Sequence, residues 1–205
     1  MAVEIQSIDM NYPHSRLLRR AAQILEKGGI VVYPTDTIYG LGADLLNKKA
    51  LERIFKIKRT SKHKLLSFIC PDLKNISEWA FVPNYAYRIM RRVTPGKFTF
   101  VLRASAQVPK ILLQKRQTVG IRIPDSPVAI GLALELGRPL LSTSVPMGED
   151  GFHSDPLEIA ARFRFGIDLI LDAGVLSNQP STIVDLTGDA PQILREGSGD
   201  VSLLH

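Results

Sequence analysis

Cysteine is almost missing from this chain. Cys70 stands alone, which excludes an internal disulfide and argues against a metal site built from thiolates. The histidines, His14, His63, His153 and His205, lack the spacing of zinc ligands. There is no G-x-x-x-x-G-K-[ST] loop, so a P-loop nucleotide site is not expected. A G-x-S-x-G elbow is missing too. The first residues carry no apolar core of the kind a secretory signal has, and no run is long enough to span a membrane. The cytosol is the expected compartment, with no membrane partner. Most telling is a missing charge: from Ala80 to Pro124 there is no carboxylate at all.

That gap belongs to a larger asymmetry. Met1 to Glu52 carries six cations and six carboxylates. Arg53 to Arg122 carries sixteen cations against Asp72 and Glu78 only. From Asp125 onward four cations face twelve carboxylates, and the net charge is +6. A short basic run is commonly a solvated face. An excess sustained over about seventy residues points to a surface or cleft for a polyanion, either the phosphates of a nucleotide or RNA.

What is present is an ordinary globular composition, 45% hydrophobic and 22% charged over 205 residues, enough for one domain spanning residues 1–205 with a sizeable core. Leu17, Leu18, Ala21, Ile24 and Leu25 recur at helical spacing and predict a helix over Ser15–Lys27, stopped by Gly28 and Gly29. Further helices are expected over Lys49–Lys58, Tyr85–Val93 and Pro127–Leu136, the last closed by Gly137. Asp155 has the chemistry to cap another, with Pro156 in its first turn and Glu158 in the capping-box place. Strands are expected at Gly29–Tyr33, Leu65–Cys70, "KFTFVLR", "TVGIRIP", "PLLSTS", "DLILDAG", "STIVDLT" and "PQILREG". Strands and helices alternate, and the late strands lack helices between them. The fold class is therefore α/β with a mixed, twisted sheet. Met1–Pro13 and Val201–His205 are expected to be loosely held.

Several strands share one grammar. An apolar run passes into hydroxyls or cations and then into Pro or Gly, as in "YPTDT", "TVGIRIP", "LLSTSVP" and "ILREG". A single such cluster is most simply a turn whose side chains bond nearby backbone. Four of them point to a shared polar pocket outside the strand ends, where ligands gather in α/β sheets.

Taken in order, "VVYPTDTIYGLG", "KIKRTSKHK", "TPGKFTFVL", "TVGIRIP", "LLSTSVP", "STIVDLT" and "LREG" resemble the YrdC/YciO family, and its YciO branch most closely, from Ala21 to Asp200. The resemblance implies a twisted, open mixed α/β sheet with flanking helices and a basic concave cavity, the YrdC/RibB-like fold. It implies a site like that of threonylcarbamoyl-AMP synthases, which join L-threonine, bicarbonate and ATP (with Mg²⁺) and release pyrophosphate for tRNA modification. It also implies double-stranded RNA or tRNA as partners. By the same resemblance Thr35, Thr37, Arg122 and Ser181 match threonine-binding positions. Thr118 and Arg195 match ATP contacts, and Ser144 the serine of an S-x-N motif. Lys56 and Lys58 match a K-x-R pair facing the nucleotide and the reacting centre, with Arg59 next door as a further nucleotide contact.

Two positions depart from the pattern. The K-x-R arginine is Lys58, which offers a point charge in place of a planar fork. The S-x-N asparagine is Pro146, which has neither a side-chain donor nor a backbone N–H. The expectation is a nucleotide- and RNA-binding protein whose synthase-like site is weakened or altered. The alternatives are a fully competent synthase, in which Arg59 and a neighbour replace the missing groups, and an RNA-binding module without chemistry.

Overall fold

A computed structural model describes residues 3–58, 66–113, 117–146, 153–177 and 179–204. They form one mixed sheet of eleven strands carrying five α-helices. In chain order these are β1 (Glu4–Ser7), α1 (Ser15–Glu26), β2 (Val31–Tyr33), β3 (Gly40–Asp44), α2 (Lys48–Lys58), β4 (Ser67–Ile69), β5 (Ala80–Phe81), α3 (Asn84–Val93), β6 (Phe98–Ala104), β7 (Thr118–Arg122), α4 (Pro127–Leu136), β8 (Leu140–Ser144), α5 (Pro156–Arg162), β9 (Leu169–Asp172), β10 (Thr182–Asp185) and β11 (Gln192–Arg195). Across the sheet the strands run β1-β9-β2-β3-β8-β4-β7-β6-β10-β11, with β5 added against β6.

The helices begin and end where their chemistry says they should. Ser126 accepts the Ala129 N–H at the start of α4, Pro127 sits in the first turn, and Gly137 closes the helix at φ 69°, a conformation glycine adopts without a Cβ clash. Asp155 caps α5 by accepting the Leu157 N–H. Glu158 does not complete a capping box: its carboxylate lies 3.5 Å from His153 Nδ1.

Two expectations are corrected. The N-terminal stretch is not loose throughout, because Glu4–Ser7 pairs in parallel with β9, Glu4 facing Leu169. Near the other end, Val201–Leu204 forms a 3-10 turn, and Leu204 is buried in the main core. β3 and β5 were not expected as strands. In β3 two glycines and a short run hide the period-two pattern.

The two faces of the sheet are covered differently. Val31, Tyr33, Ile69, Leu140, Leu169 and Leu171 pack with α1 and α4 on one face. On the other, Val32, Leu41, Phe68, Phe100, Ile121 and Val184 pack with buried residues of α2 and α3. α1 and α4 pack chiefly on β2, β3, β4 and β8. Thr99 and Val101 of β6, Thr118 and Arg122 of β7, and Ser181 beside β10 therefore face an open concavity.

Candidate active site

The concavity has a narrow end and a wide, open end. The narrow end is a cavity of about 80 Å³ lined by Thr35, Ser67, Thr99, Arg122, Ser142, Ser144, Ser181 and Arg195, among others. A water occupies roughly 10–15 Å³ on this measure, so the cavity holds roughly five to eight non-hydrogen atoms. The open end is a groove of about 1230 Å³, with Thr118, Arg103, Phe81 and Leu194 on its walls. Strand geometry joins the two. Thr118 and Arg122 point to one face of β7, Thr118 into the groove and Arg122 into the cavity.

Arg122 is the centre of the narrow end. Its side chain is 8% exposed, and Nη2 lies 2.5 Å from the carboxylate of Asp36, itself 7% exposed. The same Nη2 donates to Thr37 Oγ1 at 2.8 Å. Thr37 Oγ1 is 3.1 Å from Thr35 Oγ1, whose proton goes to the Ile38 carbonyl at 2.7 Å. Because the Thr35 proton is committed there, Thr37 is the donor between the two hydroxyls. Thr35 also accepts the amides of Thr37 and Ile38. The "TDT" turn is thus a clamp that fixes the arginine. Asp36 is tied down in turn by the Asp125 N–H at 3.2 Å.

Arg195 stands on the opposite wall, its Nη2 donating to the Ser181 carbonyl at 2.7 Å. Burial, and then the charge of Arg122, hold its pKa below the ordinary arginine value. The Nε atoms of both arginines are buried without a hydrogen-bond partner. Buried donors are rarely left so, and the two guanidiniums have, among the described residues, one carboxylate partner between them, Asp36. Ser181 and Thr99 hydroxyls pair at 2.8 Å. Tyr33 donates to Ser142 Oγ at 2.5 Å, and burial raises the phenol to about 12, so it stays a donor. The Ser142 proton is left to point elsewhere, and Ser142 lines the cavity. Lys58 Nζ donates to Thr143 Oγ1 on the cavity wall at 2.5 Å.

Of the positions singled out in the sequence, Thr35, Arg122, Ser144, Ser181 and Arg195 line one cavity. Thr37 holds Arg122 from behind, and Lys58 reaches the wall at Thr143. Thr118 lies in the adjoining groove. Lys56 and Lys97 are exposed and line neither space. Arg59 lies outside the described residues. Asp36, Tyr33 and Ser142 were not singled out. The period-two spacing of Ser142 and Ser144 on one strand signals the last of these, whereas nothing local pairs Asp36 with Arg122, eighty-six residues away. Among the described residues no group of three or more His, Cys, Asp or Glu is placed to hold a metal ion. Nor is any helix among them long and apolar enough to cross a membrane.

Fold and site together define a class: an α/β protein whose open sheet face ends in a small, arginine-bearing pocket suited to an acid. Comparison with known proteins narrows this. The chain belongs to the Sua5/YciO/YrdC family, whose model, described as "Telomere recombination", matches residues 23–197. YciO of Escherichia coli K12 is 44% identical over 191 residues, covering 92% of this chain and 93% of that one. Its crystal structure superposes with a TM-score of 0.94 at 41% identity, over 99% of this chain and 100% of the other. A threonylcarbamoyl-AMP synthase of Vibrio vulnificus is 30% identical over 184 residues, 88% of this chain and 98% of that protein. P. abyssi Sua5 complexed with L-threonine matches with a TM-score of 0.87 and 29% identity, over 94% of this chain and 57% of that longer one.

Proposed function

We propose that the protein binds L-threonine in the small cavity and ATP along the adjoining groove, and that it carries out threonylcarbamoyl-AMP synthesis slowly, with bicarbonate as third substrate. The observation that carries this is the pocket of about 80 Å³ lined by both Arg122 and Arg195, two cations that have, among the described residues, one carboxylate partner between them, Asp36. A carboxylate with a short side chain fits that volume, and an arginine edge binds its two oxygens together. The relationship to threonylcarbamoyl-AMP synthases, and the threonine bound to P. abyssi Sua5, support threonine as that acid.

In the proposed reaction the threonine nitrogen bonds to the carbon of bicarbonate with loss of water. An oxygen of the resulting carbamate then attacks the α-phosphorus of ATP, and pyrophosphate leaves. Arg122 holds the threonine carboxylate. Ser142 and Ser144 offer hydroxyls where the carbamate forms, and Lys58 and Arg195 supply positive charge toward the phosphates. Without a carboxylate cluster among the described residues, Mg²⁺ would arrive on the ATP, where it neutralises phosphate charge. Pro146 and Lys58 each remove one positioned polar contact. Losing one such donor typically costs about 2.7–4 kcal/mol, or roughly two to three powers of ten in rate, which is the basis for a slowed reaction. Cytosolic pools of ATP and tRNA suit this chemistry. The sixteen-to-two charge ratio over Arg53–Arg122 supports RNA, duplex or tRNA, as a further ligand.

Threonine- and bicarbonate-dependent pyrophosphate release, measured for the parent, Lys58→Arg, Pro146→Asn and the double variant, tests this reading. The double variant should exceed the parent by at least tenfold and the single variants by less, because both groups act on one charge distribution. A parent as fast as an ordinary synthase would remove the slowed-site proposal. Failure of calorimetry to detect threonine or ATP binding would remove the whole reading.

A further inference from the structure

Helix α3 turns its two sides to very different surroundings. Ala86, Ile89, Met90 and Val93 are buried in the same cluster as Phe98, Phe100 and Leu102 of β6 and Val119 and Ile121 of β7. The alternate residues of those strands, Thr99, Val101, Thr118 and Arg122, line the cavity and groove. α3 therefore lies behind the sheet, on the face away from the candidate active site. Its outer side carries Tyr87, Arg88, Arg91 and Arg92, all exposed, at spacings of three and four residues that put them on adjoining rows. Exposed Lys97 follows a turn later.

These cations are held in no ion pair. Arg19, Arg20, Arg53, Arg122 and Arg138 each pair with a carboxylate. Among the described residues Arg88, Arg91, Arg92 and Lys97 take part in no ion pair, and the sequence offers no acid between Ala80 and Pro124. Like charges at helical spacing destabilise a helix, so a row of three arginines is a cost to the isolated fold that an external polyanion offsets. Beside the row, between α3 and α4, lies a largely apolar groove of about 600 Å³, lined by Tyr87, Arg91, Pro95, Pro124 and Ile130, with Lys74, Asp72 and Asp125 also on its walls. A membrane-surface helix needs a free apolar face, and that of α3 is already in the core.

We propose that the outer face of α3 is an RNA-docking surface: Arg88, Arg91 and Arg92 hold backbone phosphates, and the groove beside Tyr87 takes an unstacked base. The proposal rests on the RNA-binding part of the proposed function and gives it a location outside the cavity, on the outer side of α3 and the groove between α3 and α4. Arginine forks suit phosphate oxygens, and an aromatic next to a cationic track is the arrangement that holds single-stranded nucleotides. RNA on this face leaves the cavity open, so RNA and ATP bind together rather than compete.

Fluorescence anisotropy with unmodified tRNA, titrated at several salt concentrations, tests the location. Each phosphate contact contributes about 0.7–0.9 to the slope of log K against log salt. The triple variant Arg88→Ala/Arg91→Ala/Arg92→Ala should flatten that slope by about two to three units and weaken binding at least tenfold. Tyr87→Ala should weaken tRNA binding with little change of slope. Saturating ATP should leave the tRNA bound, and threonine should raise the melting temperature of the triple variant as it does the parent's, which shows that the fold and cavity survive. A triple variant with the parent's affinity and slope, or displacement of tRNA by ATP, would overturn the α3 site while leaving RNA binding itself intact. A parent that binds no tRNA at low salt would overturn both the site and the RNA reading, and would leave the threonine and ATP reading standing.

Discussion

Asp36 and Arg122 form a buried pair in which each corrects the other's cost. Removing one partner of such a pair leaves an uncompensated charge and costs about 3–5 kcal/mol. Asp36→Asn should therefore lower stability in urea unfolding by an amount toward that range. It should also leave Arg122 short of negative charge, a deficit the carboxylate of threonine can fill. Added threonine should then raise the melting temperature of Asp36→Asn by more than it raises the parent's. A variant as stable as the parent would show that Asp36 does not neutralise Arg122. The hydroxyls of Thr35 and Thr37 were expected as ligand contacts because of their place in a family motif. In the structure their protons run inward, from Thr37 to Thr35 to the Ile38 carbonyl. Thr35 still lines the cavity, but what the two hydroxyls visibly do is hold the arginine in place.

Among the elements, β3 shows what an apparently weak strand can be for. A Cβ on Gly40 would stand 2.7 Å from Tyr33 Cζ, and one on Gly42 would stand 2.9 Å from Tyr33 Cε1. The two glycines form a slot for the phenol ring, which is what carries the Tyr33 hydroxyl to Ser142. Gly40→Ala should cost about 1–3 kcal/mol by overpacking and should weaken threonine binding by shifting Ser142. Replacing Tyr33 with Leu in the Gly40→Ala background should recover stability but not threonine affinity. Chemical unfolding and calorimetry on the two variants separate these effects, and an unchanged stability in Gly40→Ala would contradict the slot. The helices were legible in the sequence because periodicity and caps are local: α4 runs over the expected residues, and α1, α2 and α3 differ by a residue at an end. β3 was not legible, because its glycines make sense only against a ring contributed by the neighbouring strand.

Across the whole molecule, three buried groups set an alkaline limit. Burial raises the Cys70 thiol from 9.0 to about 12, and the phenols of Tyr33 and Tyr39 from 10.0 to about 12. Each is held protonated in the folded state while the unfolded chain would lose the proton, so stability falls as pH rises through that interval. The urea midpoint should be level up to about pH 9, begin to fall with the thiol, and steepen above about pH 10 with the two phenols. Cys70→Ala should remove the first part of the fall and leave the second. A midpoint that stays level to pH 11 would contradict this account. The sequence by itself determined the α/β class, the helices, the family, the basic middle segment and a set of polar strand ends that belong to one pocket. These follow from periodicity, capping and ordered motifs, which act along the chain. Only the tertiary structure decided that Arg122 is held by Asp36, and that Lys56 faces solvent while Lys58 reaches Thr143. It alone divided the basic segment between the cavity and the back of α3. Those outcomes depend on which face of a strand or helix each side chain takes and on what the rest of the chain folds against that face. Residue order along a basic stretch does not carry that information.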